Sequence, residues 1–225
     1  MTDIIRGLHG HHELQEEAAF HSLMPHARPS STILELGAWW AYYPLWFLGA
    51  VTSSEAICVE PLEDHLHLAK ENLRLNGRSA TIIPGCVGDT HGHVAMPRSA
   101  ALVECFSAPA LFQRIGWRRI ELLHMDVQGA ELPFLRSMRA MPAQALVRFV
   151  YVSTHHESIS GSPDTHAECM QQLKAQGAAI LPEHGVHESF SGDGPIVASH
   201  EPADSQIPMS SIGRKTRESS LFGSE

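Results

Sequence analysis

From Thr32 to His156, short apolar runs that stop at a glycine or an acidic residue alternate with segments of helical period, and few folds admit that alternation. It predicts βαβ units around a mostly parallel sheet with helices on both faces. Thr32–Gly37, Ala56–Glu60, Ala80–Ile83, Ile120–Asp126 and Leu146–Ser153 read as buried strands. Tyr42–Val51 is apolar on nearly all sides and reads as a buried helix with Pro44 in its first turn. Leu62, Leu66, Ala69 and Leu73 recur at spacings of three and four, the clearest amphipathic helix, and Asn76-Gly77 ends it. A helix opening at Glu131 buries Leu132, Leu135 and Met138. Another spans Pro163 to Gln176, capped by Asp164, with Met170 and Leu173 inward.

The flanks are less regular. A helix over Glu13–Met24 is ended by Pro25 and Pro29, so residues 1–30 form an N-terminal helical segment. Ala178–Leu181 and Ile196–Ala198 flank the turn residues Ser191-Gly192-Asp193-Gly194 and predict a C-terminal antiparallel hairpin. Asp89–Ala108 has turn residues and little period, with room for a short hairpin. The principal domain is placed at 31–200. From Glu201 the composition turns to Ser, Pro, Glu and Arg, which reads as a disordered tail over 201–225 with little apolar surface to bury.

Composition removes several function classes. A net charge of -9 lacks the positive field that holds phosphate backbones, so nucleic acid is not expected as a partner. The apolar stretch Leu34–Val51 is interrupted by Glu35 and Pro44, so no membrane span is expected. Met1–His12 has no apolar signal region, and the four cysteines are scattered without a CxxC. Reduced thiols and a cytoplasmic location follow as expectations. Sixteen histidines, clustered at His9-His11-His12, His91-His93 and His155-His156, show no HExxH or other ligand-spaced motif and read as surface or loop residues.

Ligands of such sheets bind beyond the carboxyl ends of the strands. The residues there are Gly37, Glu60, Gly85–Asp89, Asp126 and Ser153–His156. Glu60 stands where a ribose-binding carboxylate belongs, at the end of the second strand. Local capping next to Pro61 is the structural alternative. The first turn, Gly37-Ala38-Trp39-Trp40-Ala41-Tyr42-Tyr43, has only the first of the dinucleotide glycines, and a pyrophosphate would have little room beside Trp39 and Trp40. S-adenosylmethionine carries no phosphate and needs less glycine there. An NAD-dependent oxidoreductase and a non-catalytic cofactor-binding protein are the rival readings.

Four segments in order carry a family resemblance: Leu34-Glu35-Leu36-Gly37-Ala38, Cys58-Val59-Glu60-Pro61, Glu71-Asn72-Leu73-Arg74-Leu75-Asn76-Gly77 and Met125-Asp126-Val127-Gln128-Gly129-Ala130-Glu131. Together they resemble the FkbM-type methyltransferases. The resemblance covers roughly Ser31–His156. It implies a class I methyltransferase (Rossmann-like) fold with a seven-stranded sheet whose last strand is antiparallel, and S-adenosylmethionine as cofactor. It also implies methylation of oxygen on a sugar, glycan or other small-molecule acceptor. Carried over by residue, Glu35, Gly37 and Ala38 fall beneath the methionine part of the cofactor, Glu60 and Pro61 at the ribose, and Val87 and Asp89 in the segment near the adenine. Asp126 falls beside the transferred methyl. Ala41 replaces a second glycine, Trp39-Trp40 smaller or polar residues, Gln128 an acidic residue, and His124 a common lysine.

For a hydroxyl acceptor the protein must align it and accept its proton. Asp126, His155 and His156 are the candidate catalytic residues, and an imidazole matches neutral pH. Asp126 can instead hold backbone amides near Gly129, His155 and His156 can be exposed loop residues, and Glu131 can serve its helix N-terminus. A divalent metal held by Asp126 and the histidine pair is the less favoured version. Oligomeric state is not legible in the sequence.

Overall fold

The computed structural model describes residues 11, 13–96, 102–188 and 192–209. Its strands are β1 (Thr32–Leu36), β2 (Glu55–Glu60), β3 (Thr81–Pro84), β4 (Cys86–Val87), β5 (Gly92–Ala95), β6 (Leu102–Phe106), β7 (Ile120–Met125), β8 (Val147–His155), β9 (Ala179–Glu183) and β10 (Asp193–Ser199). Seven of them form one sheet in the order β3-β2-β1-β7-β8-β10-β9. All neighbours are parallel except β10, which runs antiparallel to both β8 and β9. This is the sheet of the class I methyltransferase fold, and the expected C-terminal hairpin supplies its last two strands. β1, β7 and β8 are buried along their whole lengths, which is why apolar residues dominate their middles and the polar ones among them are paired.

Helices cover both faces. On one lie α1 (Leu14–Leu23), α2 (Tyr42–Ala50) and α3 (Glu63–Leu75), packing Phe20, Phe47 and Leu73 against Ile33, Leu122, Phe149 and Val197. On the other lie α4 (Ala108–Arg114), α5 (Glu131–Ser137) and α8 (Thr165–Ala175), packing Leu111, Leu135 and Leu173 against Leu34, Leu123, Val150 and Ile196. Single turns α6 (Ala143–Leu146) and α7 (Glu157–Ser160) flank β8. Successive strand residues thus feed opposite cores, as strand periodicity requires. α3 buries Leu66, Ala69 and Leu73 and stops at Gly77, whose φ of +63° is left-handed.

Several expectations change. The poorly patterned stretch holds the antiparallel pair β5–β6 and also β4, parallel to β6, which make a separate three-stranded sheet. α4 follows it and is too short to register as a period in the sequence. Asp164 occupies the N-cap position of α8 but makes no side-chain cap bond. Packed structure also runs past the expected boundary at 201. Pro202–Gln206 forms a 3-10 turn with Asp204 buried, while residues 210–225 lie outside the described residues.

The reason is Arg148, near the start of β8 and therefore inside the sheet. Its Nη1 donates to Glu121 Oε1 (2.5 Å) and to the His26 carbonyl (2.9 Å), and its Nε and Nη2 donate to both oxygens of Asp204 (2.9 and 2.7 Å). Ser199 Oγ adds a 2.6 Å bond to Asp204. Burial opposes the charge on Asp204, but the bonds from Arg148 and Ser199 outweigh it and hold the carboxyl below its ordinary range. Asp204→Ala, which leaves a buried guanidinium half paired, should cost about 3 kcal/mol in urea unfolding. A chain cut after Ala203 should show the same loss. The pair's contribution is present above pH ~4 and should fade as the pH drops through the lowered carboxyl pKa.

Candidate active site

The carboxyl ends of β1, β2 and β7 meet at the first turn. Gly37 has φ +83°, and a Cβ there would lie 1.8 Å from the Asp126 carbonyl oxygen, so only glycine lets the β1 turn pass the end of β7. Gly37 and Ala38 donate their N–H groups to the Val59 carbonyl, and Asp126 N–H donates to Leu36. Trp39 (φ +39°) and Ala41 (φ +63°) are left-handed non-glycine residues. Ala41 stands where the resemblance has a glycine, and its φ gives the reason a glycine suits that position.

Beyond this turn opens a cleft of about 470 Å³, walled by Gly37, Trp39, Glu60, Pro61, Val87 and Asp126, with Leu62, His65, Cys86, Met96 and Gln128 completing it. Glu60 is buried at its edge. Its Oε2 accepts from Trp39 N–H (3.1 Å), its Oε1 from Leu62 N–H (3.0 Å), and His65 Nδ1 lies 3.1 Å from Oε1. The carboxylate therefore ties the first turn to the second, as the local-capping alternative expects, and it also lines the cleft. Asp89 is exposed, bonded to Thr90 and absent from the wall, in contrast to the expectation that it lies at the adenine.

A second, water-sized cleft of about 20 Å³ shares Gly37, Trp39 and Asp126 with the first and is closed by Glu13, Glu35, Tyr42 and Tyr43. Glu35 is buried. One of its oxygens meets His124 Nδ1 at 3.0 Å, and Oε2 has no hydrogen-bond partner. The other ring nitrogen of His124 lies 2.9 Å from Glu16 Oε1 of α1. Burial alone would lower the His124 pKa, but Glu35 and Glu16 raise it to about 10, so the ring is an imidazolium. Tyr43 and Tyr151 pack against it, with centroids at 4.4 and 4.8 Å. The position occupied by lysine in the resemblance thus keeps a cation.

The expected catalytic trio separates. His155, the last residue of β8, is buried, with Nε2 3.1 Å from Asp126 Oδ1 and 3.5 Å from Asp193 Oδ1. Its Nδ1 is 3.0 Å from Glu131 Oε1, an ion-pair approach without hydrogen-bond alignment. Burial would lower the pKa, but Asp126 and Glu131 lift it to about 11. Asp126 in turn resists its own burial because His155 and Gln128 hold it below the ordinary carboxylate range. His156 instead caps α7, accepting from Ser158 N–H at 3.2 Å, and its ring meets His187. Holding the loop amides falls to Glu131, which accepts from Val127 (3.1 Å) and Gly129 (3.0 Å), so that Asp126 faces both clefts. Among the described residues no group of three or more His, Cys, Asp or Glu is arranged to hold a metal ion. No helix among them is long and apolar enough to cross a membrane.

Sequence reasoning missed His65, Glu13 and Glu16, whereas Gly85, one of the expected strand-end residues, does line the cleft, and a Cβ there would sit 2.6 Å from the Phe106 ring. His65 carried one available signal, since it lies one helical turn beyond Glu60-Pro61. The N-terminal glutamates carried none, because only the tertiary fold brings α1 to the strand ends.

The Methyltransferase FkbM domain family matches residues 54–180, more than half of the chain. No curated protein matches it in sequence. Solved structures share the fold. A precorrin-6y C5,15-methyltransferase from Geobacter metallireducens superposes with TM-score 0.54 at 10% identity over 82% of this chain and 86% of that one. An O-methyltransferase from Bacillus cereus in complex with S-adenosylhomocysteine gives 0.52 at 14% identity over 83% and 80%. Aeropyrum pernix fibrillarin with natively bound S-adenosyl-L-methionine gives 0.50 at 13% identity over 81% and 73%.

The charged state of His124 is open to test. Because its folded pKa is raised, its contribution to stability is complete below pH ~6.5 and lost as the pH climbs through about 10. His124→Gln should therefore be clearly less stable than wild type in urea at pH 6, and the gap should narrow toward pH 10. A gap that is constant with pH would mean that the ring is neutral.

Proposed function

Because the chain belongs to the FkbM methyltransferase family, we propose that it binds S-adenosylmethionine across the two joined clefts and methylates a hydroxyl oxygen of a sugar or other small-molecule acceptor. The supporting observation is the union at Gly37, Trp39 and Asp126 of a large cleft edged by a buried carboxylate, Glu60, with a small acidic one. The first suits a nucleoside, whose ribose hydroxyls a carboxylate accepts. The second suits a cationic group, because Glu35 Oε2 is buried with no partner and an unpaired buried polar atom is costly. Glu60 and Pro61 would hold the ribose, Val87 and Leu62 the adenine, and Glu35, Gly37 and Ala38 the methionyl end. When bound, the cofactor supplies a methyl group already activated as a sulfonium.

The chain's own task is alignment and proton acceptance. Against the effect of burial, Asp126 and Glu131 raise the His155 pKa, so His155 serves as the counter-ion that orients Asp126. Asp126 takes the acceptor's proton. Its weak basicity suffices, because a hydroxyl becomes strongly acidic as its oxygen gains the methyl.

Calorimetry should show binding of S-adenosylmethionine and S-adenosylhomocysteine but not NAD, and Glu60→Ala should weaken it by about 1–3 kcal/mol. Tight NAD binding would sink the reading. With an acceptor in hand, Asp126→Asn should lower turnover at least ~100-fold, and release of S-adenosylhomocysteine separates an enzyme from a cofactor-binding protein. Activity should survive a chelator, and the rate should show no inflection near pH ~6.5. An inflection there that His155→Gln removes would restore His155 as the base.

A further inference from the structure

One wall of the small cleft comes from the N-terminal segment, far in sequence from the strand ends that form the rest. Glu13 immediately precedes α1, is buried, and lines this cleft together with Glu35 and Asp126. Gly37 and Ala38 of the first turn and the aromatic residues Trp39, Trp40, Tyr42 and Tyr43 form the rest of the wall. Carboxylates and π faces around a space of about 20 Å³ describe a seat for a single cationic group of ammonium size. The buried Oε2 of Glu35, with no hydrogen-bond partner, supplies an independent sign that a donor belongs there.

Resting on the methyltransferase reading, we propose that Glu13 is a cofactor-binding residue that completes this cation seat and makes the site prefer the sulfonium cofactor over its neutral-sulfur product. S-adenosylmethionine carries two positive charges at its methionyl end, on sulfur and on nitrogen, and S-adenosylhomocysteine carries one. Every carboxylate added beside that end strengthens the first complex more than the second. The N-terminal helix thereby sets how readily product leaves.

The surroundings of Glu13 give the test a signature besides activity. Tyr43 OH lies 3.5 Å from its Oε2, and its backbone N–H donates to Glu17 Oε1. Its carboxyl shares a hydrogen bond with Glu16 of α1, and Glu16, Asp126 after β7 and Asp193 at the start of β10 face it with like charge. Glu35 on β1 shares its cleft, and the buried ring of His124 is engaged by Glu16 and Glu35. Burial first, then Glu16, Asp126 and Asp193, hold the Glu13 carboxyl well above its ordinary range. Burial also raises Glu35, only partly offset by His124. A cation entering the seat opposes that shift, so binding should lower the pH at which these carboxyls ionise and expel protons in the range where they titrate.

The experiment is calorimetry of S-adenosylmethionine and S-adenosylhomocysteine from pH ~5 to ~8 in buffers of different ionisation enthalpy, on wild-type protein and on Glu13→Gln. Thermal melts of each protein confirm that both are folded, and Glu13→Asp serves as a second variant that keeps the charge. Wild type should release protons on binding S-adenosylmethionine and fewer on binding S-adenosylhomocysteine. In Glu13→Gln, proton release should shrink and the preference for S-adenosylmethionine over S-adenosylhomocysteine should fall by about tenfold, with partial recovery in Glu13→Asp. Wild-type binding with both readouts unchanged in Glu13→Gln would overturn this assignment alone. No binding of either compound by wild type would overturn the methyltransferase reading and this assignment with it.

Discussion

An imidazolium sealed inside the domain is the constraint to which the site's geometry answers. His124 has no exposure to water and sits between Glu35 of β1 and Glu16 of α1. A charge so placed is tolerable only if its partners are held at hydrogen-bond distance. Ser153 Oγ donates to the second oxygen of Glu16, and Tyr151 OH donates to its carbonyl, so β8 also braces the helix. One buried cation thus fixes the relative positions of β1, β7, β8 and α1. The first turn, the end of β7 and Glu13 are attached directly to those elements.

The parts of the fold that were legible in the sequence owe their clarity to strong local signals. The run Ile120–Met125 is mostly apolar because β7 is covered on both faces, its Glu121 and His124 being paired inside, and α3 shows its period because one face meets water. The signal failed where structure depends on distant partners. Nothing local in Pro202–Gln206 says that Asp204 will meet Arg148, and low apolar content alone reads as disorder. Likewise β4 earns its pairing from β6 rather than from its own two residues.

The site divides along the same line. Glu60, Gly37 and Asp126 were readable because a strand end followed by a turn fixes where such residues lie, and all three wall the cleft. His155 and His156 were read as a pair because they adjoin in sequence, but at the end of a strand adjoining residues diverge. One is enclosed by Asp126, Glu131 and Asp193, and the other caps a helix. The sequence shows that a histidine is present, whereas its protonation state depends on carboxylates contributed by β7, α5 and β10.

The clamp at the opposite end of the strands has a consequence for synthesis. Arg148 is satisfied by His26, Glu121 and Asp204, and the last of these lies 56 residues downstream. Until that stretch has emerged from the ribosome, β8 cannot bury its guanidinium fully paired, and a nascent chain holding every strand up to β8 still lacks the antiparallel β10 on its open edge. Completion of the sheet and neutralisation of its buried charge are therefore late events tied to one another. The translating chain is left until then with an unpaired edge of backbone N–H and C=O groups along β8.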